Sequence, residues 1–201
     1  MANKNRRHQE IWTAFRFGGE EAFSRFFFAF YSSLYNYGLK LVRDEELVKD
    51  VIQDFFLYLF ENRTSLAEKV DFPISYLLAS FRRRLLKERN RLKLRQERLE
   101  KNDLAMAELF VIGKEDLIIK EESNSWNKAV VLKLLNELPS RQREIIYLKY
   151  YHDLSIQEIA DVFSISYQVV ANHLYRSLKK LRNNEISKKI AHSNIRMFFF
   201  L

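Results

Sequence analysis

Apolar side chains recur three and four positions apart through two blocks of this chain, residues 10–94 and 123–181, with a polar, irregular stretch between them. That period belongs to the α-helix, whose buried face gathers positions i, i+3, i+4 and i+7. A sheet would need many turns, and 4 Gly and 2 Pro in 201 residues supply too few, just as they leave no phosphate-cradling loop. The expectation is an all-α protein of two small helical domains joined by a flexible linker. Its boundaries read as a first domain over 10–94, a linker over 95–122, a second domain over 123–183 and a tail over 184–201.

A formal charge of +8 and a pI near 9.6 ask for a polyanionic partner, nucleic acid or an anionic membrane surface. Charge alone does not separate them. No cysteine is present, which removes disulfides, thiolate metal sites and thiol catalysis. The basic N-terminus runs into a mixed segment without the apolar core of a signal peptide, and no apolar stretch approaches the roughly 18 residues of a membrane span. We expect a soluble, cytoplasmic protein without membrane insertion. Met197-Phe198-Phe199-Phe200-Leu201 is too short to span a bilayer and reads as a tail, tucked or frayed. His8, His152, His173 and His192 lack ligand spacing, so neither a metal nor a cofactor is expected. With no nucleophile elbow or paired-carboxylate motif either, an enzyme is not the expectation.

In the first block a short helix over 10–16 breaks at Gly18-Gly19, and a second, over 20–41, carries Phe23, Phe26, Phe27, Phe30, Tyr31, Leu34 and Tyr35 as a core stripe. A third helix, over 45–62, sorts Val48, Val51, Ile52, Phe55 and Leu59 to one side. Glu46, Asp50, Gln53, Asp54 and Glu61 fall opposite, around Leu57. A charged face is ordinarily a solvated one, but an apolar side chain ringed by carboxylates in a basic protein points to a partner. A fourth helix starts near Pro73, buries Leu77, Phe81 and Leu85, and turns outward a run that includes Arg82, Arg83, Arg84, Lys87, Arg89, Arg91, Lys93, Arg95 and Arg98. Such a run either solubilises the helix or tracks a phosphate backbone, and Glu88 and Glu97 cannot balance it. Any of Phe72, Tyr76 and Phe81 that is exposed can stack on unpaired bases.

The second block holds the more specific local pattern. Leu135 to Ser140 closes one helix and opens another that reaches about Tyr151 and buries Ile145, Ile146 and Leu148. Ser155-Ile156-Gln157-Glu158 is a capping box before a short helix whose Ile156, Ile159, Ala160 and Phe163 face inward. After the turn Ser164-Ile165-Ser166, a helix over 167–182 buries Val170, Leu174, Leu178 and Leu181 and turns Gln168, Ala171, Asn172, Tyr175 and Arg176 outward. A helix-turn-helix is expected, with a plain helical hairpin as the alternative.

Two of these stretches resemble a known family, the extracytoplasmic-function (ECF) sigma factors of the sigma-70 family. Residues 50–60, DVIQDFFLYLF, look like the family's clamp-binding helix. LPSRQRE over 138–144, the EIA of 158–160 and YRSLKKLR over 175–182 look like its promoter-reading domain. The resemblance implies an RNA polymerase sigma factor that directs transcription initiation. Its region 2, over 10–94, would dock on the β′ clamp of core polymerase through Asp50, Gln53, Asp54 and Leu57, and would melt the −10 element along Arg82, Arg83, Arg84, Lys87 and Arg91. The segment between Asn62 and Pro73 would be its base-capturing loop. Region 4, over 123–183, would bind the −35 element of promoter DNA through Gln168, Asn172, His173, Tyr175, Arg176 and Lys179. An anti-sigma factor is the further partner implied. This chain departs from the family pattern at Arg83, where Asn is usual, and at Val169 and Ala171, where Thr and a basic residue are common. The competing reading is a stand-alone helix-turn-helix regulator, which would bind duplex DNA unaided and as a dimer.

Overall fold

The structure, a computed structural model, describes residues 2–99, 110–113 and 125–183. These residues form eight α-helices and no strand: α1 (Ala2–Phe17), α2 (Glu20–Val42), α3 (Glu45–Glu61), α4 (Pro73–Leu99), α5 (Ser125–Asn136), α6 (Ser140–Tyr150), α7 (Ile156–Phe163) and α8 (Tyr167–Asn183). Two compact units result, one of residues up to 99 with 157–164, the other of residues 110–156 with 165–183. The side chains of Arg95 and Arg98, most of the stretch between the units and the Phe-rich tail lie outside the described residues.

In the first unit α2 is the central helix, packed by α1, α3 and α4. Its core line is Phe26, Phe30, Leu34, Tyr37 and Leu41, which meet Trp12 and Phe15 of α1, Phe55 and Phe56 of α3, and Leu77, Phe81 and Leu85 of α4 in the buried interior. Each such ring or branched side chain contributes about 2–3 kcal/mol when fully withdrawn from water. The aromatic stripe expected to be core is only partly so. Phe23, Phe27, Tyr31 and Tyr35 are half-buried, and Tyr31 and Tyr35 stack on each other at 5.7 Å. The seven-residue stripe is wider than the strip of helix surface that neighbours can cover, so its flank stays at the rim. Gly38 is required by packing: a Cβ there would meet Val48 Cγ1 at 2.9 Å and the Phe81 ring at 3.1 Å.

Helix α1 begins eight residues before the sequence pattern predicts. Its first turns are polar and carry no apolar period; they are held instead by side-chain amides, since Asn5 and Gln9 both donate to the carbonyl of Asp71, at 2.9 and 2.8 Å. Asp44 caps α3 by accepting from the Leu47 amide at 3.0 Å.

Two short parts of the stretch read as linker have described structure. Residues 95–99 continue α4, and Phe110 to Gly113 dock on the second unit. Phe110 and Ile112 are buried, and their backbone is gripped by side chains. The Phe110 amide donates to Ser140 Oγ at 3.0 Å, and the Asn136 amide group both accepts from the Ile112 N–H at 3.2 Å and donates to its carbonyl at 3.0 Å. Buried Arg143 donates to the carbonyl of Phe110 and to those of Asn136 and Leu138, tying this strand-like segment to the α5–α6 turn. A Phe-x-Ile triplet inside a mixed stretch has no periodic signature, so only its partners reveal it.

Candidate nucleic-acid interface

On α3 the amphipathic sorting expected from sequence holds. Leu47, Val48, Val51, Ile52, Phe55, Phe56 and Leu59 are buried, and Asp50, Gln53 and Asp54 are exposed around Leu57, which keeps 52% of its surface in water. Sequence reasoning missed Tyr58. It is 43% exposed beside Leu57, and the Arg84 guanidinium of α4 lies 4.0 Å from its ring centroid. The patch is therefore acidic and apolar, with the Arg84 guanidinium at one edge.

That contact divides the basic run on α4. Successive helical residues turn by about 100°, so Arg82, Arg83 and Arg84 cannot share one track. Arg84 turns toward α3. Arg82 is half-buried, with its guanidinium 5.0 Å from the Phe163 ring. Arg83 and Lys87, one turn apart, are exposed, Arg83 donating to Ser80 Oγ at 3.2 Å. Arg91 is exposed and paired with Glu88, its Nε 3.0 Å from both carboxylate oxygens. Of the aromatics offered for stacking, Phe72 is 41% exposed, whereas Phe81 is completely buried and cannot reach a base. Tyr76 is half-buried edge-on to Trp12, at 5.4 Å.

The segment between α3 and α4 is pinned from one side by α1. Arg16 donates to the carbonyls of Arg63 and Thr64 at 3.3 and 2.9 Å, and Trp12 Nε1 to that of Ala67 at 3.2 Å. With the Asn5 and Gln9 bonds to Asp71, four α1 side chains hold four loop carbonyls and use none of the loop's side chains. Thr64, Ser65, Glu68, Lys69 and Phe72 stay exposed. A loop held in this way is shaped in advance, with little ordering entropy left to lose on binding.

In the second unit, α8 follows a turn that begins at Ser164, whose φ of 53° ends α7 in the left-handed region. Ser166 then receives the amides of the first turn of α8, accepting from Val169 N–H at its Oγ, 3.4 Å away. Val170, Leu174, Ser177 and Leu181 are buried, and Gln168, Asn172, Tyr175, Arg176 and Lys179 are exposed on the other side. Gln168 Nε2 donates to Asn172 Oδ1 at 3.3 Å, so the two amides present one edge. Tyr175 is 65% exposed with the Lys179 ammonium 5.9 Å from its ring. His173 is half-buried, and its Nδ1 is buried without a hydrogen-bond partner. Burial first, then Arg141 and Arg176, push its pKa down, so at neutral pH it is an uncharged imidazole among cations.

Helices α6, α7 and α8 follow one another with an exposed amide pair on α8, and residues 128–181 match the family described as Sigma-70, region 4. Over 67 residues the chain is 31% identical to RNA polymerase sigma factor SigV of Bacillus subtilis (strain 168), a stretch of 33% of this chain and 40% of that protein. Its fold matches that of sigma factor RpoE in complex with the anti-sigma factor NepR from Bartonella quintana, with a TM-score of 0.54 and 17% identity over 84% of this chain and 97% of that one. It also matches CnrH in complex with the cytosolic domain of CnrY, with a TM-score of 0.53 and 18% identity over 93% and 99% of the two chains. The architecture is thus the all-α sigma-factor fold. Among the described residues no helix is long and apolar enough to cross a membrane.

Proposed function

We propose that the protein is an ECF-type sigma factor, a non-catalytic subunit that brings core RNA polymerase to particular promoters and opens them. The observation that carries the reading is one chain holding, in order, an acid-ringed Leu57 on α3 and a region 4 domain whose α8 exposes paired amides. A stand-alone regulator has use for the second feature and none for the first. In this reading residues 10–94 act as region 2. Asp50, Gln53, Asp54 and Leu57, joined by Tyr58, meet the β′ clamp, and Arg83 and Lys87 lead the contacts with the melted −10 strand. Gln168 and Asn172 read the −35 element, and Tyr175, Arg176, Lys179 and His173 position it. An anti-sigma factor is a further partner, supported by the company of NepR in the RpoE complex.

Replacing Asp50 and Asp54 by Lys tests this directly. Both carboxylates are exposed, so the double variant should keep its helical circular dichroism and melting temperature. It should lose co-purification with core polymerase. A folded variant that still binds polymerase normally refutes the docking surface, and a wild-type chain that binds duplex operator as a dimer without polymerase establishes the regulator instead.

A further inference from the structure

We infer that Arg16 and Phe17, at the end of α1, form a nucleotide subsite in which Phe17 stacks on an unpaired base and Arg16 holds an adjoining phosphate of the melted strand. The inference rests on the promoter-opening reading above and gives α1 a contact that the reading leaves without one.

Arg16 is unusual for a guanidinium. It is 7% exposed, and of its donors Nε and Nη2 are used on the carbonyls of Arg63 and Thr64 while Nη1 is buried with no partner. Among the described residues no carboxylate pairs with it. A buried cation with an unused donor and no counter-anion is costly, and buried polar atoms in folded proteins are otherwise almost always satisfied. An acceptor-only anion would complete the site, and a phosphodiester oxygen is the acceptor that planar guanidinium donors fit best.

The neighbour of Arg16 supplies the other half. Phe17 is 71% exposed, and its ring centroid lies 5.0 Å from Arg16 Cζ, so this one aromatic side chain, itself largely in water, sits against the buried charge. Exposed aromatics beside a cation are how single strands are held without reading sequence, the ring taking a base face and the cation its phosphate. The carbonyls that orient Arg16 belong to the first residues of the loop assigned to base capture, so the subsite adjoins it. The bonds from Arg16 to that loop leave the guanidinium with little freedom, and a phosphate meets it already oriented.

The test uses the full chain assembled with core polymerase and a fluorescent single-stranded oligonucleotide carrying the non-template −10 sequence, titrated at several salt concentrations. Arg16→Gln should weaken binding and flatten the log–log salt dependence by about 0.7, the value for one phosphate on a single strand. Phe17→Ala should weaken binding roughly five- to hundred-fold, as loss of one stacked base does, and leave the slope unchanged. Arg16 as a mere brace for the loop would leave the slope unaltered once the variant is folded, and that result overturns the proposal. If Arg16→Gln does not fold, the side-chain guanidinium resonance of Arg16 in the wild-type chain decides: a shift on adding the oligonucleotide supports the subsite, and none overturns it. Wild-type complex that binds no single strand at all refutes the promoter-opening reading itself, whereas wild-type binding with an unchanged Arg16→Gln slope refutes this inference alone.

Discussion

Gln168 and Asn172 show how much one side-chain bond decides. Their 3.3 Å contact orients the Asn172 amide before DNA arrives, and a fixed amide can pair with the ring nitrogen and amino group of adenine in the major groove. Asn172→Ala should therefore cost about 1–3 kcal/mol at one base step and relax the preference there. Lys179, out on the rim beside Tyr175, should behave differently: Lys179→Ala weakens all sequences alike and lowers the salt slope by about one. Binding-site selection on both variants separates reader from positioner, and an unchanged selected sequence for Asn172→Ala would reverse the roles. On α3, Leu57 is half in water, so Leu57→Ala should leave stability within about 0.5 kcal/mol while weakening polymerase association by about 1–2 kcal/mol of lost burial. Equal affinity of variant and wild type would make Leu57 an idle surface residue.

At the level of the element, α4 is the helix whose basic run the structure divides. Its basic run looks like one track in sequence, but Arg84 is drawn 4.0 Å from the Tyr58 ring, while Arg83 and Lys87 keep an open row. Two outcomes follow. Arg83→Gln with Lys87→Gln should impair strand opening, read as weaker permanganate reactivity of −10 thymines, more than polymerase recruitment. Arg84→Gln should do the opposite, because it removes the cation at the edge of the acidic patch. If all three substitutions gave the same defect, the helix would act as a uniform charge and the division would be wrong.

For the whole molecule the sharpest consequence is a pH dependence set at the N-terminus. His8 packs 4.8 Å from the Phe30 ring, where burial, then Lys4 and Arg7, bring its pKa from 6.5 to about 4. Between those values the unfolded chain binds a proton that the folded chain refuses, so stability rises with pH across that window and is lost as pH falls from about 6.5 to about 4. The full shift would carry about 3 kcal/mol, but His8 is only half-buried and solvent screening reduces the effect to about 1 kcal/mol. Urea unfolding of wild type and His8→Gln at pH 7 and pH 4.5 measures it as a difference, because carboxylates common to both titrate in the same range. Parallel losses in the two proteins would exclude His8 as the source.

What could be read from sequence is what local geometry imposes. The 3.6-residue period sufficed for α2, α3, α6, α7 and α8, and for the sorting of Asp50, Gln53, Asp54 and Leu57 to one face of α3, because a helix places its own residues relative to one another without outside help. The same holds for Gln168 and Asn172, one turn apart on α8. Tertiary structure decided everything that depends on which distant residues meet. It extended α1 through polar turns held by a loop carbonyl more than sixty positions away, and it docked Phe110 and Ile112 on Asn136, Ser140 and Arg143. It assigned Arg84 to Tyr58, and it buried Arg16 against the backbone of residues 63 and 64 with one donor still unused. Each of these contacts is a hydrogen bond or ring contact between groups far apart in sequence, and no periodicity announces such a bond, since its strength depends on distance and angle between partners that only the folded chain brings together.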